Sequence, residues 1–254
     1  MKVGIIGYKG FVGSAFYKVF SQGNEAVGID RHNYQASKGG KFGLLINVNG
    51  NSSKRLADTE PEKDFEMNVA STLRFLHDFE FAHYLHISSV DVYNDLSSTG
   101  SSNEEAKIDS AKLSNYGLSK YIAELVTKKH AKSWMILRLG GMVGKNMAKG
   151  PAYDILKLGK LFISPSSKYQ FINTFEVASI AKKLVEKGKW GQIYNIVGKG
   201  NISLEEFAKM AKVNLSETGK QEQVFNISTE KIEKECKISS TPETVKRFSE
   251  SFRK

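Results

Sequence analysis

Residues 3–13 read Val3-Gly4-Ile5-Ile6-Gly7-Tyr8-Lys9-Gly10-Phe11-Val12-Gly13. The run Val3–Ile6 is short, apolar and closed by a glycine, which predicts a buried strand. Glycines then recur at 7, 10 and 13, and a helical segment follows from Phe11 to Phe20. Glycine permits the tight turn and lets backbone N–H groups approach an anion such as a pyrophosphate at the helix N-terminus. Glycine turns are common, so the weight rests on placement between a first strand and a first helix.

Ala26–Ile29 predicts a second strand, closed by Asp30, 17 residues after Gly13. A carboxylate there can accept hydrogen bonds from ribose hydroxyls, or it can be a plain turn aspartate. Arg31 can pair with a 2′-phosphate, which Asp30 would repel. The pair favours NAD and leaves NADP open.

Further strands are expected at Leu44–Val48, His83–Ile87 and Trp134–Leu139, with helices at Glu62–Phe79 and Tyr116–His130. Pro61 suits the start of the first of these helices. Residues 31–41 and 94–110 read as polar loops. Past Leu139 the glycines loosen the pattern, then a helix (Phe175–Glu186), a strand (Ile193–Val197) and two helices (from Leu204, and near Glu243–Phe252) follow. This alternation predicts an α/β fold, a Rossmann-like doubly wound parallel sheet with a small C-terminal substrate lobe over its carboxyl edge. Residues 1–140 and 171–198 are assigned to the dinucleotide-binding domain, and 141–170 and 199–254 to the lobe.

The 254 residues suffice for such a domain and lobe. No segment approaches the roughly 18 uncharged apolar residues of a membrane span, and the N-terminus lacks the long apolar stretch of an export signal. Cys236 is the single cysteine, so an intramolecular disulfide is excluded and a reducing cytoplasm is expected. The net charge of +10 is spread over polar helix positions such as Lys128-Lys129 and Lys182-Lys183. It reads as solvated helix faces rather than a nucleic-acid surface, and its field favours a phosphorylated ligand.

The strand at His83–Ile87 runs into Ser88-Ser89, and Tyr116 and Lys120 follow on one face of the next helix. Moving a hydride at a carbinol carbon requires moving the hydroxyl proton too. A phenol has an ordinary pKa near 10, which a neighbouring ammonium lowers. A serine hydroxyl can hold the substrate oxygen beside it. A lone YxxxK is a weak signal; with the glycine turn, and a serine pair 27 residues earlier, it is a coherent site for proton transfer. His83 and His86 point to opposite faces of a strand, and no His/Cys/acid cluster has metal-ligand spacing, so no metal is expected.

The sequence resembles the extended short-chain dehydrogenase/reductases, in particular the NAD-dependent epimerase/dehydratase family. The resemblance rests on GYKGFVG at 7–13, Asp30, FEMNVASTLRFL at 65–76, HISSVDVY at 86–93, YGLSK at 116–120, ILRLGGMVG at 136–144, and the C-terminal FINTFEVASIAKKLVE and GQIYNIVGKGNISLEEFAKM. It implies that Gly7, Gly10, Phe11, Val12 and Gly13 carry the pyrophosphate. Asp30, with Arg31, would hold the adenosine ribose. Asn49 and Gly50 would lie over the cofactor, Asn68 would be the asparagine of the family's helix motif, and Leu139 and Gly140 would lie near the nicotinamide. Tyr116 would be the acid/base, Lys120 its partner and Ser89 the ligand of the substrate oxygen.

Four departures stand out. A strand and helix usual between Asp30 and the strand at 44–48 are replaced by a short Gly-rich stretch, so the sheet should lack an element. Gly141 stands where nucleotide-sugar enzymes often have a substrate-contacting asparagine. The FINTFEVA stretch lacks the usual basic residue and paired acids. Ser89-Val90-Asp91 replaces the Thr-Asp-Glu typical of 4,6-dehydratases. The expected activity is an NAD(P)-dependent oxidoreductase or epimerase acting on a sugar, nucleotide-linked in the leading reading. The alternatives are an NADPH-dependent 4-keto sugar reductase and a non-catalytic dinucleotide sensor. Ile122 and Leu125 on the YxxxK helix leave a homodimer open.

Overall fold

The computed structural model describes residues 1–252. The chain divides into two compact units. One comprises Met1–Asn94, Lys107–Arg138 and Ala178–Tyr194; the other comprises Asp95–Ala106, Leu139–Val177 and Asn195–Lys254.

The first unit is built on a six-strand parallel sheet. Its strands are β1 (Lys2–Ile6), β2 (Glu25–Ile29), β3 (Lys41–Asn47), β4 (Glu80–Ser89), β5 (Trp134–Leu139) and β6 (Gln192–Ile196). Their order is 2-1-3-4-5-6. Val3 lies opposite Ala26 on one side and Leu44 on the other, so β1 is paired along both edges. A parallel sheet covered on both faces needs continuous apolar runs. Accordingly Val3, Ile5, Leu44, Leu45 and Ile46 are fully buried. Phe75, Leu76 and Phe79 pack with Ile6, Leu45 and Tyr84 as one cluster.

Between β2 and β3 the chain carries only the four-residue helix Tyr34–Ser37, and β2 remains the edge strand. The expected loop at 31–41 thus contains one helical turn, and the expected shortening of the sheet is observed. A second short helix, Lys54–Thr59, was not legible; Ser53 caps it by accepting a hydrogen bond from the Leu56 N–H. Helix α1 spans Phe11–Phe20. The helix expected at Glu62–Phe79 forms as three continuous segments, Pro61–Phe65, a π turn Glu66–Ala70 and Ser71–Asp78, together called α2. Helix α3 spans Asn115–His130 and α4 spans Thr174–Glu186.

The second unit has its own core, in which Val143, Ile155, Phe171, Leu204, Phe207 and Val245 are buried together. Gly141–Val143 pairs in parallel with Phe171–Asn173, and Lys168–Tyr169 pairs antiparallel with Ile202–Ser203. The buried Gln170 amide donates to the carbonyls of Gly198 and Ile227 and accepts from the Ile227 N–H, tying three segments together. A last helix, α5, spans Thr241–Phe252. Among the described residues, no helix is long and apolar enough to cross a membrane.

Candidate active site

The glycine turn joins β1 to α1. Gly7 has φ +83, which favours glycine, and its N–H donates to the Ile29 carbonyl at 2.8 Å. Gly13 packs so closely that a Cβ there would lie 2.1 Å from the Gly7 oxygen. No side chain caps the N-terminus of α1 and no acid occupies its first turn. The first-turn N–H groups around Phe11, Val12 and Gly13 are therefore open to an external acceptor, the arrangement that suits a pyrophosphate.

Asp30 closes β2, but its carboxylate is already engaged. It pairs with the Lys9 ammonium and accepts from the backbone N–H groups of His32 and Asn33. The Lys9 contact, followed by the backbone bonds, holds its carboxyl below the usual range. It is a turn aspartate in this structure; a ribose would have to displace Lys9 rather than the backbone donors. The Arg31 Nε–H donates to Nε2 of the neighbouring His32.

Gly7 packs against Asn49 of the loop after β3, and the Asn49 N–H donates to the Asn47 side chain. Gly50 has φ +138, and a Cβ there would lie 2.5 Å from Oδ1 of Asn68. Asn68 sits in the π turn of α2, a distortion that often marks functional positions. The glycine turn, Asn49, Gly50 and Asn68 thus form one connected series of contacts. Leu139 is buried at the end of β5 and Gly140 follows it; both fall in the second unit.

Ser89 is the last residue of β4 and Tyr116 the second of α3. They meet because the helix starts hard against the turn after β4. Ser114 caps α3 by accepting from the Gly117 N–H, and a Cβ on Gly117 would lie 2.3 Å from the Asp91 carbonyl oxygen. Gly117 is therefore a signal within the YGLSK motif that sequence reasoning passed over. Ser89, Tyr116 and Lys120 are all buried. Lys120 donates to the Ile87 carbonyl at 2.8 Å. Ser89 donates to Asp91, which is also held by Lys54.

The electrostatics differ from expectation. The Tyr116 phenol is pushed up, first by burial and then by the Asp91 charge; a hydrogen bond with Ser89 acts in the opposite sense. Burial and Asp91 outweigh the lowering expected from a neighbouring ammonium. Lys120 is itself pulled down to about 8 by burial, against the opposing pull of Glu124 and Asp64. In this structure the phenol is a protonated acid, and the amine titrates near neutral pH.

Two neighbours were missed from sequence. Glu124, one turn after Lys120, is fully buried and accepts from Ser88 at 2.6 Å and from Arg138 at 2.9 and 2.7 Å. Arg138 also stacks on Tyr93, 4.8 Å from its ring centre. This brace ties the Lys120 helix to the end of β4 and to β5. No periodicity announces a bond between residues 36 apart, such as Ser88 and Glu124. Among the described residues no group of three or more His, Cys, Asp or Glu could hold a metal. His83 bonds Ser133 and stacks on Trp190, while His86 bonds Asn47.

In the second unit, a Cβ on Gly141 would lie 2.6 Å from the Gln170 carbonyl oxygen. An asparagine cannot replace this glycine without moving the backbone.

A parallel sheet with a glycine turn after its first strand and helices on its faces is the architecture of the Rossmann-like α/β proteins. Solved structures of that kind superpose on the whole chain. A UDP-galactose 4-epimerase is 19 % identical with a TM-score of 0.81, covering 100 % of this chain and 99 % of that one. A dTDP-4-dehydrorhamnose reductase from Bacillus anthracis str. Ames, in complex with NADP, is 16 % identical with a TM-score of 0.82, covering 98 % and 99 %. MoeE5, in complex with UDP-glucuronic acid and NAD, is 16 % identical with a TM-score of 0.84, covering 100 % and 99 %. At these identities the likeness shows the fold. No curated protein matches the sequence. Residues 3–197 match the NAD dependent epimerase/dehydratase family, and the chain belongs to that family.

Proposed function

We propose that the protein is an NAD(P)-dependent oxidoreductase or epimerase acting on a sugar, in the leading reading a nucleotide-linked one. The observation that carries this is the buried group of Ser89, hydrogen-bonded to Tyr116, with Lys120 one turn on. It stands on the sheet whose first strand ends in the open glycine turn. A bound nicotinamide dinucleotide supplies the hydride acceptor or donor. The rest falls to side chains. Gly7, Gly10, Phe11, Val12 and Gly13 hold the pyrophosphate, and Asp30 holds the ribose once released by Lys9. Asn49, Gly50 and Asn68 line the remainder within the first unit. Ser89 fixes the substrate oxygen and Tyr116 gives it or takes from it a proton. Positive charge from Lys120 favours the phenolate when Tyr116 must act as base. The second unit is the proposed substrate-binding part. The structural neighbours include proteins solved with NAD or NADP, and one with UDP-glucuronic acid.

The second reading, an NADPH-dependent 4-keto sugar reductase, is favoured by two observations. Lys9 neutralises Asp30, and among the described residues Arg31 makes no ion pair, which suits a 2′-phosphate. Tyr116 is held protonated, ready to donate to a carbonyl. Calorimetric titration of both cofactors separates the readings. In the NAD-dependent case Asp30→Ala weakens NADH binding about tenfold and leaves NADPH binding equal or tighter, because a charge-assisted bond to the ribose is lost and a repulsion removed. Equal losses for both cofactors would remove Asp30 from the ribose site.

A homodimer is proposed through α2 and α3, which expose Phe65, Leu73 and Leu125. Sedimentation velocity should show a dimer that Leu125→Glu converts to monomer. A wild-type monomer at tens of micromolar would end that proposal.

A further inference from the structure

Asp64 lies on α2 with no exposed surface, and nothing in the sequence singles it out. Its Oδ1 accepts two amide hydrogen bonds, each 2.7 Å, from Asn51 and from Asn68. Asn51 also closes its own loop. It donates to the Ser53 carbonyl and accepts from the Ser53 N–H, both at 2.8 Å. Because Asn68 spends its NH2 group on Asp64, its carbonyl oxygen is turned toward Gly50. Among the described residues, that oxygen and Oδ2 of Asp64 are both buried without a partner. Buried acceptors are costly unless a donor reaches them, so such a pair is retained where a site needs it.

The same carboxylate acts on the proton-transfer group. Three charged or titratable side chains couple to Lys120 electrostatically, and a fourth, Tyr116, precedes it by one helical turn. The three are Asp64 from α2, His86 from β4 and Glu124 from its own helix. His86 is held neutral by burial, and Tyr116 is protonated. Asp64 and Glu124 are the two that favour the ammonium.

We propose that Asp64 is a positioning residue that locks the Asn49–Asn51 loop to the Asn68 turn for dinucleotide binding, and that it sets a second buried negative charge toward Lys120. This rests on the reading of the site as dinucleotide-dependent. In that arrangement Asp64 touches neither hydride nor proton. It fixes which face of Asn68 meets the Gly50 backbone, and it keeps Lys120 a cation, whose charge favours an anionic dinucleotide.

The test is NADH and NADPH fluorescence titration of the full chain across pH 6–10, with wild type, Asp64→Asn and Asn51→Ser. Wild-type affinity should fall as pH rises through about 8, where Lys120 loses its proton. Asp64→Asn should weaken binding about tenfold at neutral pH and move that midpoint down by about one unit, since a carboxylate that favours the cation is gone. Asn51→Ser should weaken binding with the midpoint unmoved, because it loosens the loop and leaves the charge. A merely structural Asp64 would not move the midpoint. Wild-type behaviour in Asp64→Asn, an unmoved midpoint, or a wild type with no alkaline limb overturns the proposal. If Asp64→Asn does not fold, unchanged affinity in Asn51→Ser overturns it. A wild type that binds neither dinucleotide overturns the functional reading itself, and this proposal with it.

Discussion

Tyr116→Phe is expected to leave dinucleotide binding nearly intact and to cut turnover by about a hundredfold or more. The ring is buried, so phenylalanine fills the same space and the packing survives. What disappears is one hydroxyl, with its hydrogen bond to Ser89. That hydroxyl is the proposed source of the proton in reduction and its acceptor in oxidation. Burial and the Asp91 charge keep it protonated in the free protein, so the reducing direction needs no prior activation. The oxidising direction needs the phenolate, which positive charge from Lys120 favours. The measurement is paired: fluorescence titration of the dinucleotide, and turnover with the nucleotide sugar that a substrate panel selects. Unchanged turnover in the variant would remove Tyr116 from the mechanism. Lost dinucleotide binding would show instead that the phenol holds the cofactor.

Glu124→Leu is expected to cost about 3–5 kcal/mol of stability, read as a lowered denaturant midpoint. Glu124 is fully buried and Arg138 nearly so, and the two are joined by a bidentate contact. Losing the carboxylate strands the guanidinium in the interior and frees the Ser88 hydroxyl. Removing both charges in Glu124→Leu/Arg138→Met should restore most of the loss, because the cost lies in the unpaired charge rather than in a missing attraction. A single variant as stable as wild type would mean that Arg138 finds water or another acceptor. The change also reaches Lys120. Its folded pKa of about 8 lies below the ordinary 10.5, so the native state binds fewer protons than the unfolded chain between those values. Stability therefore rises with pH across that window, and the penalty is full below about pH 8. Without Glu124 the folded value falls further, and the window opens at lower pH.

The elements read best are those whose signal is local. Phe11–Phe20 and Trp134–Leu139 have the bounds expected from apolar spacing, because one face or one run must be buried whatever lies around it. Lys54–Thr59 has no apolar stripe and rests on a cap at Ser53, so its sequence reads as polar linker. The π turn of α2 was hidden for another reason. Its residues keep helical spacing, and the turn lies where Asn68 and Thr72 bond to residues distant in sequence or one turn away.

The sequence alone determined the chain order of the six sheet strands and the longer helices, the glycine turn between the first pair, and which residue types could carry proton transfer. Those depend on periodicity, on glycine's backbone freedom and on functional groups, all properties of short segments. Only the tertiary structure decided the charge state of the group. The protonated phenol, the lysine pulled down to about 8, the occupied Asp30 carboxylate and the buried acids Asp64 and Glu124 arise from desolvation and from partners distant in sequence. Those effects scale with burial and separation in space, and neither quantity is written in the order of residues.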